Sequence, residues 1–138
     1  MNLYFFSERF LKWRKDFSLL HIDLVKGNHD ILADNWYDSA GIHVHEWKLA
    51  AGPFLFLHDK KAEKDLTEEE KKFYRFTGHL HPAIRLKGKG KQSLRFPCFC
   101  FSKETAVLPA FSRFTGGFLI EPVKDDHVFA LVEDGIMQ

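Results

Sequence analysis

The stretch Leu19-Leu20-His21-Ile22-Asp23-Leu24-Val25-Lys26-Gly27-Asn28-His29-Asp30 decides how the chain folds. A β-like apolar run breaks at a glycine and then delivers an amide, an imidazole and a carboxylate in consecutive positions. Such a segment serves a core poorly. It suits a polar site at the C-terminal end of a strand, the rim on which open α/β sheets place their ligands. Two later stretches have the same build: Phe54-Leu55-Phe56-Leu57-His58-Asp59 and Phe76-Thr77-Gly78-His79-Leu80-His81-Pro82.

Around these three stretches the chain reads as alternating helix and strand, then a succession of strands. Residues 2–16 set Leu3, Phe6, Phe10, Leu11 and Trp13 among charges at spacings near three and four, which predicts an amphipathic helix. Leu19–Lys26 is the first strand, and Ile31–Tyr37 a short helix closed by Gly41 beyond it. Ile42–Trp47 alternates as a strand. After the Ala51-Gly52-Pro53 turn, Phe54–His58 has the composition of a strand covered on both faces. Residues 59–75 carry six acids and six bases, the pattern of a solvated, self-compensating loop or helix. Tyr74–Gly78, Ala83–Lys87, Ser93–Ser102 with an interruption at Pro97, Thr105–Leu108, Phe118–Ile120 and Val128–Val132 are further strands. The predicted fold class is α/β, with sheet packed on sheet and helices outside.

Composition narrows the class. At 138 residues the chain is one domain on length, with enough material for a core. Its 45% hydrophobic and 28% charged residues exclude a disordered chain. A net charge of +1 leaves polyanion binding to local clusters. No apolar run reaches the roughly 20 residues of a membrane span, and the charges after Phe6 interrupt what a signal peptide would need. Cys98 and Cys100 are one residue apart on the same side of a strand, where a mutual disulfide would be strained, so they read as buried thiols of a cytoplasmic protein.

The chemistry lies in Asn28, His58, His79 and His81, each following a short apolar run. Imidazole and amide oxygen both bind first-row divalent metals, and the glycine before His79-Leu80-His81 allows a tight turn that aims two imidazoles at one spot. His29, with Asp30 beside it, is placed as a proton donor near neutral pH. A single histidine at a strand end is more often a surface or core residue, so the weight rests on the combination. His43 and His45 sit in an alternating strand without a glycine turn and read as structural, as do His21 and His127. Arg85, Lys87, Lys89, Lys91 and Arg95 are five bases with no acid among them on a hairpin. They form either a surface that tracks a nucleic-acid backbone or a solvated tip that discourages edge pairing.

Gly27-Asn28-His29-Asp30, His58 at a strand end and Gly78-His79-Leu80-His81, in that order, resemble the later motif blocks of the calcineurin-like metallophosphoesterases. Pro82-Ala83-Ile84-Arg85-Leu86, Arg95-Phe96-Pro97-Cys98-Phe99, Val107-Leu108-Pro109-Ala110-Phe111 and Phe114-Thr115-Gly116-Gly117 are similar to the DNA-ligase-associated branch, DNA-damage-response phosphoesterases and endonucleases. The resemblance runs from about Leu19 to Ile120. It implies a metallophosphoesterase β-sandwich flanked by helices and a dinuclear centre of Mn, Zn or Fe. Asn28, His58 and His79 would bind one metal and His81 the other, and His29, held by Asp30, would act beside the scissile phosphate. It further implies DNA or another phosphodiester as substrate, with a ligase-like exonuclease and a helicase as partners.

That family also has Asp-x-His and Gly-Asp-x-x-His blocks before Gly-Asn-His-Asp. The 26 residues before Gly27 contain neither. The expectation is an N-terminally truncated, single partial metallophosphoesterase domain over residues 1–138, lacking the first strands of the family fold. Such a chain would hold at most one weakly bound metal, hydrolyse little and self-associate through an exposed sheet edge. The alternative is a non-catalytic remnant, an interaction module for nucleic acid or protein.

Overall fold

The computed structural model describes residues 3–87, 92–112, 115–133 and 135–138. It is a mixed α/β structure with one large mixed sheet and few helices. The chain divides into two compact units, residues 1–46 and 47–138.

The first unit holds α1 (Leu3–Asp16), β1 (Ile22–Val25), α2 (Asp34–Ser39) and β2 (Ile42–His45). β1 and β2 pair in parallel, Ile22 with Ile42 through Val25 with His45. A parallel pair needs a crossover, and the segment carrying α2 supplies it. Ile22 and Leu24 of β1 and Ile42 and Val44 of β2 point to one side, where they pack with Tyr37, Ala40, Phe10, Leu11, Leu32 and Trp36. The predicted strand over Leu19–Lys26 is shorter than expected because the first turn after α1 is already spoken for. Arg14 donates from Nε to Ala40 O at 2.9 Å, from a terminal nitrogen to Leu20 O at 2.7 Å, and to Phe17 O. These bonds hold residues 17–20 in a turn and leave Leu19 fully exposed. Gly41, just past α2, has φ of 63°, the left-handed conformation that glycine adopts without strain at a helix end. A Cβ there would lie 3.3 Å from the Arg14 guanidinium.

The second unit is the large sheet. β3 (Lys48–Ala51) and β4 (Phe54–Leu57) form a hairpin, Ala51 opposite Phe54. Gly52 with φ of 57° followed by Pro53 is the sequence of a type II′ turn. β4 runs parallel to β5 (Tyr74–Thr77), and β5 parallel to β8 (Thr105–Val107). β7 (Ser93–Phe101) lies antiparallel to β8, and β10 (His127–Val132) lies antiparallel to both β7 and β11 (Gly135–Met137). β6 (Pro82–Lys87) pairs antiparallel with β7 and parallel with β9 (Phe118–Leu119).

Pro97 does not interrupt β7. It marks the point where the strand changes partners, with Pro97 opposite Ala83 of β6 and Cys98 opposite Ala130 of β10. A residue without an N–H is tolerated where a ladder is handed over. Leu55 and Leu57 of β4 are buried with Leu66, and Phe73 packs against them. Phe54 is 39% exposed, so this strand is fully covered on one face only, against the two expected. Residues 59–75 form two short 3-10 helices, Lys60–Asp65 and Glu70–Lys72. Their charges are not all solvated: Arg75 of β5 is buried and paired with Glu63 at 3.2 Å and Glu104 at 2.8 Å. The Cys98 and Cys100 thiols are free and buried, and burial pushes Cys98 up to about 11. No helix among the described residues is long and apolar enough to cross a membrane.

Candidate metal centre

The parallel pairing of β4 and β5 puts Leu57 beside Thr77, so the residues after each strand emerge at one rim. There Gly78 N–H donates to His58 O at 3.1 Å, extending the ladder by one step. Immediately beyond, the His58 and His79 rings meet edge to face, with Nε2 of His58 2.9 Å from Nδ1 of His79. Two nitrogens at that separation share a hydrogen bond, one ring donating to the other. Donors around one ion with bonds of about 2.1 Å lie roughly 3.0–3.4 Å apart, so the pair fits a shared metal with little adjustment.

The loop reaches this arrangement through unusual backbone. Leu80 N–H donates to Gly78 O, a three-residue turn centred on His79. His79 and His81 have φ of 42° and 51°. Left-handed conformations at residues other than glycine are uncommon and concentrate at functional sites. His81 is half-buried, and its carbonyl accepts from Phe118 N–H at 2.9 Å, which ties the end of the loop to β9. Gly117 makes room for this: a Cβ there would lie 2.8 Å from the Ala83 Cβ.

Asp59, which the sequence reading passed over, joins the site. Its carboxylate caps the Lys60–Asp65 helix by accepting from Lys61 N–H at 3.0 Å, and lies 3.7 Å from Nε2 of His79. The carboxylate therefore lies on the Nε2 side of His79, while Nδ1 faces His58. The signal was its position directly after His58.

Asn28, His29 and Asp30 lie in the first unit, after β1. The Gly27–Asp30 turn is closed twice: Asp30 N–H donates to Gly27 O at 3.2 Å, and Gly27 N–H donates to the Asp30 carboxylate at 2.8 Å. Ile31 N–H bonding to His29 O continues the turn, so α2 starts at Asp34 and not at Ile31. Asn28 and His29 are both exposed. Of the predicted basic residues, Arg85 and Arg95 sit directly opposite each other on β6 and β7, and Lys87 opposite Ser93, all exposed. Lys89 and Lys91 lie outside the described residues.

No protein-family model matches the chain, and no curated protein matches it. Among solved structures it is similar to the nuclease MPE of Pseudomonas putida, with a TM-score of 0.70 and 29% sequence identity. The alignment covers 89% of this chain and 56% of that one, so this chain spans just over half the length of that protein. The two share a mixed α/β, nuclease-like fold.

Proposed function

We propose that the chain is part of a metal-dependent phosphodiesterase or endonuclease of the calcineurin-like class, acting on DNA in a repair setting. The observation that carries this is the His58–His79 pair, converging at 2.9 Å on the rim formed by two parallel strands. The likeness to a nuclease fold supports it. His58, His79, His81 and Asn28 are the residues that would hold metal, with Asp59 orienting His79. Bound metal would polarise a phosphoryl oxygen and lower the pKa of water. His29, on the turn that Asp30 closes, would give a proton to the leaving oxygen. This four-residue set holds three imidazoles, an amide and no carboxylate, so we expect it to bind a divalent ion weakly, one per chain, and to turn over slowly. A ligase-like exonuclease and a helicase belong to the same proposal as partners, as does self-association along the edge of β1 opposite β2.

The test is hydrolysis of bis-p-nitrophenyl phosphate with added Mn²⁺. A slow metal-dependent rate that His29→Ala and His58→Ala each reduce by at least about tenfold agrees with the reading. A rate indifferent to metal and to both variants refutes it.

A second reading, a nucleic-acid-binding module without hydrolysis, draws on Arg85 and Arg95. Like charges directly opposite on a ladder repel, and a phosphate between them would relieve this. In that case single-stranded DNA binding weakens steeply with salt, and each Arg→Ala change lowers the salt slope by about 0.7. Such binding without any hydrolysis selects the module; hydrolysis selects the enzyme.

A further inference from the structure

The face of the β1–β2 pair turned away from the first unit's core carries an unusual set of side chains. Ile22, Leu24, Ile42 and Val44 face the core, so alternation sends residues 21, 23, 43 and 45 the other way. Those residues are His21, Asp23, His43 and His45. The parallel register sets Asp23 directly beside His43.

The Asp23 carboxylate is divided between two imidazoles. One oxygen is 2.9 Å from Nε2 of His21 and the other 2.8 Å from Nε2 of His45. The His21 and His43 rings stand edge to face with centroids 4.6 Å apart. One donor atom from each of His21, Asp23 and His43 lies within 4.8 Å of the other two. The His21 and His45 contacts each place a ring N–H against a carboxylate oxygen, so the other ring nitrogen of each neutral imidazole keeps its lone pair. The arrangement is also graded: His21, His43 and the carboxylate cluster together, while His45 engages one carboxylate oxygen from the side.

We propose that His21, Asp23 and His43 form a site for a borderline divalent cation of the zinc or cobalt type, separate from the strand-end rim, with His45 as a positioning residue. Two nitrogens and one oxygen suit such an ion, whereas magnesium and calcium prefer oxygen alone. With bonds of about 2.0–2.2 Å, tetrahedral donors lie roughly 3.3 Å apart, so the 2.9 Å His21–Asp23 contact opens slightly and donors as far apart as 4.8 Å draw together as their side chains turn toward the ion. Three protein donors leave one position for water or an anion, the pattern of an open site. His45 on the second carboxylate oxygen fixes the ligand's orientation, as outer-shell partners of metal ligands do. His21 is well exposed, with 65% of its side chain accessible, so a metal ion reaches the site directly from solvent.

The test is cobalt titration of the full chain carrying His58→Ala and His79→Ala, so that the rim contributes nothing and the outcome does not depend on the proposed phosphodiesterase. We expect one equivalent of Co²⁺ with the visible bands of a four-coordinate ion, competed by Zn²⁺. Adding His43→Ala should weaken binding by at least about a hundredfold, and adding His45→Ala by about tenfold. Asp23→Asn preserves shape but removes the anionic donor, so it should also weaken binding by at least about tenfold, which guards against loss through misfolding; circular dichroism of each variant confirms the fold. No four-coordinate spectrum in the double variant, or a spectrum unmoved by Asp23→Asn and His43→Ala, overturns the proposal.

Discussion

His58 and His79 meet from loops that follow two parallel strands, whereas His21, His43 and His45 stand on or beside the strands of another pair. The first cluster depends on backbone that few residues adopt: positive φ at His79 and His81, a three-residue turn, and a glycine at 117 with no room for a side chain. The second needs only alternation and register. Loop-built convergence can aim nitrogens closely, but it is held by whatever anchors the loop. Strand-built convergence is cheap in strain and fixed by the ladder, at the spacing the ladder allows.

The dependence of the rim on its support can be broken first at Arg75. This buried guanidinium ties β5 to Glu63, Glu104, Thr105 and the Lys71 carbonyl. Arg75→Ala removes the cation from Glu63, which keeps the Thr105 hydroxyl, and should destabilise the chain by about 2–3 kcal/mol, read by urea unfolding. A loss under 1 kcal/mol would mean that the rim does not rest on this network.

A smaller effect is expected at the far end of the same loop. Gly117→Ala forces a Cβ to within 2.8 Å of Ala83, beside the carbonyl of His81. Overpacking of this kind costs roughly 1–3 kcal/mol, and metal affinity at the rim should fall with it while cobalt binding at His21, Asp23 and His43 persists. A variant as stable as the parent, with unchanged affinity, would show that the loop accommodates elsewhere.

The smallest effect concerns alternation itself, which buries Cys98 and Cys100 on one side of β7. The folded Cys98 thiol keeps its proton to about 11, while an unfolded one loses it near 9.0. Between those values the unfolded state binds fewer protons, so stability falls as pH rises. A shallow decline over that range, made shallower by Cys98→Ala while Cys100, Tyr37 and Tyr74, raised likewise by burial, sustain the rest, is the expected result; a profile that Cys98→Ala leaves unchanged would argue that this thiol is not buried in solution.

Much of the rim was legible in the amino-acid sequence because its signal is local. A glycine ends a strand, and chemistry-bearing residues follow within one to three positions, as in Gly78-His79-Leu80-His81. What was not legible is what long-range pairing decides. The alternation of His21, His43 and His45 was visible, but the register that places Asp23 beside His43 was not. β3 was hidden because Lys48-Leu49-Ala50-Ala51 has little β-branched or aromatic character, and only its hairpin with β4 makes it a strand. Leu19 and Leu20 looked like strand on hydrophobicity, but Arg14 claims the carbonyls of Phe17 and Leu20. α2 began late because the carboxylate of Asp30 is spent on closing the turn before it.

The rim is the centre of the account, and its most direct test is Mn²⁺-dependent phosphodiester hydrolysis by the parent chain, by His79→Ala, and by His127→Ala, an exposed histidine at the start of β10. The expected result is a slow rate that requires metal, falls by at least about tenfold in His79→Ala and is unchanged in His127→Ala. Equal rates in all three proteins, or hydrolysis that persists when the metal is chelated, would contradict it.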